Sequence, residues 1–315
     1  MNKSRKYIFI AIIILFVLLT PIIIFFISTK QKSEIEKKIV NYVISAVPVK
    51  ETKKESLLEK IVTDNFGNNT NYSAVIKNFK TNEEYKFNED KEFNSASLYK
   101  LWVFAVAMQA IEDGELDPEE TVSGDKNKFD ETLGLITPEP TSENAPEENV
   151  EIEPVYISMK VSDAIQKMIT ESDNYAALLL TQKLGYRNID NFLKEYEFKD
   201  SSFGNPPKST AADIARYYEL LYNGEIIDKK KSDEMIEILK DQTLDDRIPK
   251  YLPEEVLVAH KKGELFGAKH DEGIVYTKSG DYMIIVLSQT ENEAVAAEEI
   301  AKFSEGVFNY FTSEN

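Results

Sequence analysis

A serine and a lysine three residues apart open a strongly apolar stretch of the sequence. Ser97 and Lys100 are the ends of an S-L-Y-K run, and at the start of a helix two residues with this spacing share one face. A neutral serine is a poor nucleophile and needs an adjacent base, and a lysine that burial keeps uncharged can act as that base. The N-terminal end of a helix also stabilises developing negative charge. The spacing therefore indicates a serine nucleophile, Ser97, activated by Lys100.

The same spacing occurs a second time, so the motif by itself is weak. Ser123 and Lys126 also fit S-x-x-K, with Gly124 and Asp125 between them. This composition is typical of a solvated turn. We interpret the second copy as a surface loop, because only the first copy opens a buried helical pattern.

Two further polar motifs follow the first along the chain. Residues 171–174 read E-S-D-N and interrupt two helical patterns. Ser172 or Asp173 can cap the second helix, while Ser172 and Asn174 can present a hydroxyl and a carboxamide to a cleft. The motif is therefore compatible with both a structural and a catalytic role.

A lysine-rich motif ends a β-type run near the C-terminus. Lys261 and Gly263 belong to H-K-K-G, in which a lysine gives a fixed cation for a substrate carboxylate and a glycine allows close approach of a substrate backbone. Residues 278–280 (K-S-G) match K-[ST]-G more literally. They lie between two β-type runs, however, and a hairpin turn explains them.

In this order, S-x-x-K, S-D-N and K-x-G resemble the motif set of the class A β-lactamases and their penicillin-binding relatives. The resemblance covers most of residues 60–312. It implies an α+β, β-lactamase-like fold, with an antiparallel sheet built from both chain ends, flanking helices and a largely helical second lobe. It also implies that Ser97 is acylated, that Lys100 activates it, and that Ser172 relays a proton to the leaving nitrogen.

The same resemblance assigns the substrate-binding groups. Asn174 would bind a substrate amide and hold Lys100, and Lys261 of the K-x-G motif would fix the substrate carboxylate. The backbone N–H groups of Ser97 and Glu264 would form the oxyanion hole beside Gly263. Donors aimed at the developing charge are typically worth ~3–4 kcal/mol.

Two departures from the family pattern bear on function. Lys262 stands where the family has a hydroxyl residue, so one substrate hydrogen bond is lost or replaced by charge. Between residues 185 and 210, neither Glu195 nor Glu197 is followed four residues later by asparagine, which is the family's pattern for the glutamate that activates the deacylating water. We therefore expect acylation with slow or doubtful deacylation.

Composition narrows the chemistry further. The sequence has no cysteine and only two histidines, His260 and His270, which excludes a thiol nucleophile and argues against a metal centre. A Ser-His-Asp hydrolase is a poor alternative, because the chain has no G-x-S-x-G motif. We expect no cofactor. The formal net charge of −18 would repel a phosphate backbone, so we expect no nucleic-acid partner.

The N-terminus carries a candidate membrane anchor. Residues 7–28 are uncharged and apolar, and ~20 such residues cross a bilayer as a helix. Lys3, Arg5 and Lys6 precede the run, which places residues 1–6 in the cytoplasm. A cleaved signal peptide is the alternative, but the run exceeds a usual h-region of ~7–15 residues and no A-x-A-like site follows it. We predict a single-pass signal anchor in the cell membrane with an extracellular catalytic domain.

The remaining chain divides into a stalk and one domain. Residues 29–60 are rich in Lys and Glu and read as a stalk or linker leading into a first helix, and residues 61–315 as the hydrolase domain. Within that domain, residues 130–153 are acidic and contain no Lys or Arg, which predicts a solvated insertion. We expect a monomer whose substrate is a small molecule or is derived from peptidoglycan.

Hydrophobic periodicity predicts the elements that must position these residues. Ser95 caps an apolar helix that carries Lys100 and ends near Gly114, and a capping box starts at Thr210. Further helices are predicted over 162–170, 174–184, 210–222, 228–240 and 292–311. Strands are predicted over 72–77, 84–87, 256–261, 273–277 and 282–289.

Two classes of function remain open. The first is a serine hydrolase that acts on β-lactam or D-Ala-D-Ala-like amide bonds through an acyl-Ser97 intermediate. The second is a binding or scaffold module of the cell envelope with the same fold and little or no catalysis. The complete set of polar motifs favours the enzyme, whereas Lys262 and the missing glutamate favour the module or a narrower catalytic role.

Overall fold

The computed structural model describes residues 53–135 and 153–313. The predicted cytoplasmic N-terminus (1–6), the anchor (7–28), most of the stalk and most of the acidic insertion lie outside these residues. In the part of the chain that is described, no helix combines the length and apolar character needed to cross a membrane.

The described residues form both α-helices and β-strands. The helices are α1 (Lys53–Phe66), α2 (Lys100–Glu112), α3 (Lys126–Thr132), α4 (Val161–Thr170), α5 (Asn174–Leu184), α6 (Tyr186–Glu195), α7 (Ala211–Asn223), α8 (Lys229–Lys240) and α9 (Glu293–Thr312). The strands are β1 (Tyr72–Asn78), β2 (Glu84–Phe87), β3 (Phe93–Asn94), β4 (Thr121–Asp125), β5 (Tyr156–Lys160), β6 (Lys208–Ser209), β7 (Val258–Leu265), β8 (Ala268–Val275) and β9 (Tyr282–Ser288).

A five-stranded sheet joins the two ends of the domain. Its order is β2-β1-β9-β8-β7, and every neighbouring pair is antiparallel. β1 and β9 pair along their full length, with Ile76 opposite Ile284, so the first and last of the described strands lie side by side. The α+β fold with a sheet built from both chain ends is confirmed, and the strands predicted over 72–77 and 84–87 pair with each other.

Helices cover both faces of this sheet. On one face α1 and α9 pack through a stripe that includes Leu58, Val62 and Phe303. α1 begins before residue 60, where the sequence analysis ended the stalk, because Leu58 and Val62 continue the apolar i, i+4 stripe of the helix into the core. On the other face lies the helical lobe built around α2.

Helix α2 is apolar on all sides because it lies at the centre of the helical lobe. Residues Lys100 to Met108 are all buried, with Trp102 and Phe104 fully so, and a helix with this pattern must be surrounded by protein. It contacts α4, α5 and α6 on successive sides. The position of Lys100 in the first turn is therefore set by the packing of an entire helix.

Several predicted elements need correction. Ser123 does not lie in a solvated turn, because it is in β4, which pairs with β5, and Asp125 caps α3 by accepting from the N–H of Asn127. The segment from 185 to 210 contains helix α6, whose buried Ile189 and Phe192 lie on one face. Its polar residues concealed this short stripe in the sequence.

The two strands that carry the lysine motif are longer than predicted. β7 continues to Leu265 and β8 starts at Ala268, joined by a tight turn in which Gly267 has a positive φ of 81°. The sequence analysis ended the first strand at residue 261 and started the second at 273, because charged residues break the apolar pattern between those points. These charged residues still belong to the strands, because they pair across β7 and β8 and are mostly buried there although they lack an apolar alternation.

Candidate active site

Ser97 lies in a 3-10 turn that connects β3 to α2. The turn spans Ala96–Tyr99. The prediction that Ser95 caps the helix is wrong, because the side chain of Ser95 makes no capping bond and the 3-10 turn separates it from α2. Ala96 has a positive φ of 46°, and its N–H donates to Asn94 Oδ1 at 3.0 Å. A non-glycine residue adopts this conformation only at a cost. The hydrogen bond from Ala96 to Asn94 compensates for that cost and holds the turn in this geometry. Ser97 is half-buried, and its hydroxyl makes no hydrogen bond with any described residue.

Lys100 lies one helical turn after Ser97 and is completely buried. Its side-chain nitrogen Nζ lies within hydrogen-bond distance of the backbone oxygen of Ser172 (2.6 Å), of Ser172 Oγ (3.2 Å) and of Asn174 Oδ1 (2.7 Å). The S-x-x-K and S-D-N motifs, which are far apart in sequence, therefore meet at this nitrogen.

The surroundings of Lys100 favour its neutral form. Burial lowers the pKa of Lys100, and the positive charge of Lys261 lowers it further, whereas Asp173 opposes both effects, so that the pKa falls to about 6. A buried amine with this pKa is largely unprotonated at neutral pH. Lys100 is thus the group in the site best suited to accept a proton from a neighbouring hydroxyl.

Ser172 is the meeting point of two lysines. It has a positive φ of 56°, between helices α4 and α5, and the following Asp173 caps α5 by accepting from the N–H of Ala176 at 2.7 Å. Ser172 Oγ accepts from Lys261 Nζ at 2.9 Å as well as from Lys100. When both lone pairs of the hydroxyl are occupied in this way, its own proton can be donated to a third group.

Lys261 enters the same site from β7. It is fully buried, and besides Ser172 it donates to the backbone oxygen of Lys262 at 2.7 Å. Burial lowers the pKa of Lys261 to about 8, against the opposing effect of Glu272 and Asp271. Lys261 is therefore the more basic of the two lysines on Ser172 and the one that is charged at neutral pH.

Two charged residues that come after Lys261 in β7 form ion pairs with the loop that precedes this strand. Lys262, which replaces the family's hydroxyl residue, forms an ion pair with Asp246, and Glu264 pairs with the buried guanidinium of Arg247. Glu264 also pairs with Lys269 across the β7–β8 turn. The charge of Lys262 is therefore compensated within the protein.

Gly263 is required by the packing of the serine turn. A Cβ atom at this position would lie 2.9 Å from the side chain of Leu98 and 2.9 Å from that of His270, closer than real Cβ atoms approach. The sequence analysis attributed this glycine to the approach of a substrate. The structure shows another reason, which is that β7 and the residue next to Ser97 touch at this point.

His270 is a positioning residue that the sequence analysis did not identify. Its Nε2 donates to the backbone oxygen of Asn94 at 2.8 Å, while its Nδ1 accepts from the N–H of Ser288 at 3.0 Å. Burial lowers the pKa of His270 to about 4, so the ring is neutral and fixed in this tautomer. Because Asn94 holds Ala96, His270 ties the serine turn to the sheet.

The two glutamates considered for deacylation lie elsewhere. Glu195 is exposed at the end of α6 and lines a groove with Gln109 of α2 and Asp113, which follows that helix, at the opposite end of α2 from Ser97. Glu197 is exposed and lies 3.8 Å from Arg216. Neither carboxylate faces the lysine pair.

An aromatic residue of the same segment is found near the site instead. The ring of Phe203 packs against Tyr99 at a centroid distance of 5.6 Å and against Tyr186 at 5.4 Å. Tyr99 lies between Ser97 and Lys100 in the sequence. The segment between α6 and α7 therefore presents an apolar ring on this side of the serine turn.

Comparisons with known proteins agree with the fold. Residues 54–311 match the model of the beta-lactamase enzyme family. Beta-lactamase CARB-4 of Pseudomonas aeruginosa is 22% identical over 254 residues, which cover 75% of this chain and 83% of that protein.

The solved structures that superpose on the chain include beta-lactamases and PBP-A. A beta-lactamase from Sphaerobacter thermophilus DSM 20745 superposes with a TM-score of 0.68 at 18% identity, over 81% of this chain and 97% of that one. A mutant of PBP-A, solved as its acyl-enzyme complex with penicillin G, superposes with a TM-score of 0.67 at 20% identity, over 81% and 96% of the two chains.

Proposed function

The chain belongs to the beta-lactamase enzyme family, and we propose that its Ser97 is acylated by β-lactams or D-Ala-D-Ala-like amides and releases the acyl group slowly. It is a β-lactamase-like serine hydrolase. Beyond this family activity, we propose which residue is acylated, which substrates acylate it, that the second step is slow and that the domain lies at the outer face of the cell membrane.

One observation carries the acylation step. The complete burial of Lys100 and its depressed pKa provide a neutral amine within one helical turn of Ser97. Nζ of Lys100 takes the proton of the Ser97 hydroxyl as Oγ attacks the substrate carbonyl. Such general-base help is typically worth ~10²–10⁴-fold in rate.

The remaining groups complete the reaction. The N–H groups of Ser97 and Glu264 stabilise the oxyanion, as the family resemblance implies. As the carbon–nitrogen bond breaks, Ser172 gives its hydroxyl proton to the leaving nitrogen and recovers one from the protonated Lys100. The site returns to a neutral Ser172 and a neutral Lys100, with the acyl group on Ser97 as the only change.

Lys261 gives the proposal its substrate class. It is a buried cation that is held beside Ser172, and it suits a substrate with a carboxylate next to the bond that is broken. Penicillins and peptides ending in D-Ala-D-Ala both carry such a carboxylate. PBP-A, one of the structural neighbours, is a penicillin-binding protein whose mutant forms an acyl-enzyme with penicillin G.

The positions of the acidic side chains support slow deacylation. Hydrolysis of the acyl-enzyme needs a base for the incoming water, and Glu195 and Glu197 lie away from Ser97. Phe203 presents an apolar ring on the same segment. Without a dedicated base, hydrolysis of the acyl-enzyme would be slower by ~10²–10⁴-fold.

The location rests on the sequence. The apolar run of residues 7–28 with preceding basic residues supports a signal anchor, and a domain without cysteine suits an envelope in which stability comes from the core.

The test is intact mass of the full-length protein in detergent after treatment with a fluorescent penicillin. We expect one covalent adduct on the wild type and none on Ser97→Ala. Ser123→Ala, which removes the serine of the other S-x-x-K copy, is the matched control and should be labelled like the wild type. Absence of any adduct at saturating penicillin would favour the scaffold function, and rapid hydrolysis without a persistent adduct would contradict slow deacylation.

A further inference from the structure

Glu272 is a buried acid that the acylation chemistry does not use. It lies in β8, between β7 and β9, and its side chain is 0% exposed. Neither of its carboxylate oxygens has a hydrogen-bond partner among the described residues. Buried polar groups are nearly always paired, so a central acid without a donor needs a physical explanation.

The strand register shows what Glu272 faces. Its Cα partner on β7 is Lys261, and its partner on β9 is Ile285. Directly opposed residues of antiparallel strands project to the same face, with Cβ atoms ~4.5–5.5 Å apart. Since Lys261 reaches Ser172 on this face, Glu272 lies directly beside Lys261 within the protein.

Other titratable groups surround the pair from each packed element. From α7 the hydroxyl of Tyr218 is buried without a partner, and the charge of Glu272 acts on it. From the loop before β7 comes the guanidinium of Arg247, which donates to the backbone oxygen of His270. On β8 itself Asp271 is already occupied by hydrogen bonds to other groups. Lys261 is the cation directly opposite Glu272 in the strand register, and the charge of Arg247 also acts on Glu272.

We infer that Glu272 is the buried counter-ion of Lys261, and that it keeps Lys261 cationic so that Lys100 is the lysine that gives up its proton. Both lysines bond to Ser172, and two like charges on one hydroxyl repel each other. A carboxylate beside Lys261 alone favours the charged form of Lys261 and leaves Lys100 as the lysine that is more easily deprotonated. Glu272 is therefore a positioning residue that acts through Lys261.

The electrostatics of the three groups agree with this arrangement. The negative charge of Glu272 raises the pKa of Lys261 against the effect of burial, while burial holds the pKa of Glu272 well above its usual value. Below the pKa of Glu272 its carboxyl is neutral and has no effect on Lys261. Glu272 therefore stabilises the charge of Lys261 on the alkaline side of the pH range, where its own carboxyl is ionised.

The effect on acylation rests on the proposed function and is tested by pH. Glu272→Gln keeps the shape of the side chain and removes its charge. We expect the alkaline limb of the labelling rate with penicillin to move to lower pH by about one unit, because the negative charge that favours the cationic form of Lys261 is lost. The acid limb should stay in place, and Glu272→Asp should restore most of the alkaline limb. Superimposable profiles of Glu272→Gln and wild type would overturn the inference.

A second measurement does not depend on activity. On the alkaline side of neutrality, where Glu272 is charged, Glu272→Gln should lower the melting temperature of the otherwise wild-type protein, because it leaves Lys261 as a buried charge without a counter-ion. In a Lys261→Met background the same change should raise it, because it then removes an unpaired buried acid. We expect shifts of a few degrees. Glu298→Gln, which removes a carboxylate of α9 from the surface, should give the same shift in both backgrounds.

The two measurements separate the inference from the proposed function. If penicillin labels no variant, the proposed function fails, and the inversion of sign in the melting temperatures still decides whether Glu272 and Lys261 are partners. Equal shifts from Glu272→Gln in the two backgrounds would overturn the inference even if acylation of Ser97 is observed.

Discussion

Lys100 and Lys261 donate hydrogen bonds to the same atom, Oγ of Ser172, over 3.2 and 2.9 Å. Two ammonium groups this close repel each other, so the pair is most stable when one of them is neutral. Lys100 lies next to Ser97 in the first turn of α2, and Lys261 lies on β7. The shared hydroxyl therefore links a neutral base to a cation and connects proton transfer with substrate binding.

The first prediction concerns the pH dependence of acylation. The rate of labelling by penicillin should rise with pH through about 6 as Lys100 loses its proton, and fall through about 8 as Lys261 loses its own. Because the lysines share Ser172, the two limbs belong to the pair. Labelling rates of the full-length protein across this range give the profile. A rate that still rises above pH 9 would contradict the assignment of Lys261 as a required cation.

The second prediction concerns the base. Lys100→Met keeps the length of the side chain and removes the amine, and we expect labelling of Ser97 to slow by ~10²–10⁴-fold. The change also leaves the backbone oxygen of Ser172 and Asn174 Oδ1 without their donor, which lowers stability, so the melting temperature is measured beside the labelling rate to confirm that the variant is folded. The matched control is Lys126→Met, which alters the other S-x-x-K copy. Comparable labelling of Lys100→Met and the wild type would show that another group takes the proton.

The third prediction concerns the contact between the serine turn and the sheet. Gly263→Ala places a Cβ atom 2.9 Å from Leu98 and His270, and overpacking of this kind costs about 1–3 kcal/mol in the free energy of unfolding. Labelling should also slow, because the turn that carries Ser97 must shift. In Gly204→Ala the nearest atom is 3.6 Å away, so this variant controls for the substitution itself. Normal stability and labelling of Gly263→Ala would refute the close contact.

The fourth prediction concerns acid stability. The pKa of His270 falls from 6.5 to about 4 on folding, so the unfolded chain binds a proton between these values that the folded chain does not. The contribution of this group is present above pH 6.5 and is lost as the pH falls to about 4, with a size of roughly 3 kcal/mol.

His270→Gln removes this titration. The variant should be less stable than the wild type at neutral pH, because the bond to Asn94 changes, and the difference between the two proteins should shrink on acidification. Denaturant unfolding at several pH values measures it. His260, whose pKa is raised by Asp271 and Asp245 in spite of its burial, is common to both proteins and cancels. A difference that is constant with pH would contradict the neutral, buried state of His270.

The sequence was most informative where local signals determine the structure. The cap at Thr210, the cap at Asp173 and the apolar helix containing Lys100 are all present as predicted. Each depends on residues within one or two turns. The S-x-x-K and S-D-N motifs also meet at Lys100, as the family resemblance implies.

Long-range pairing limited what the sequence could predict. The charged residues of β7 and β8 do not follow an apolar pattern, and they are buried because each finds a partner on another element, such as Asp246 for Lys262. The hydrogen bond from His270 to Asn94 joins positions far apart in the chain. The apposition of Glu272 and Lys261 requires the strand register, which no local signal contains.

The most direct test of the central claim is a burst experiment with a chromogenic cephalosporin. If a neutral Lys100 activates Ser97 and no base serves the incoming water, each protein molecule should consume one equivalent of substrate rapidly and then turn over slowly. Ser97→Ala should show no burst. Fast, linear hydrolysis without a burst would contradict slow deacylation, and the absence of any reaction in the wild type would contradict acylation of Ser97.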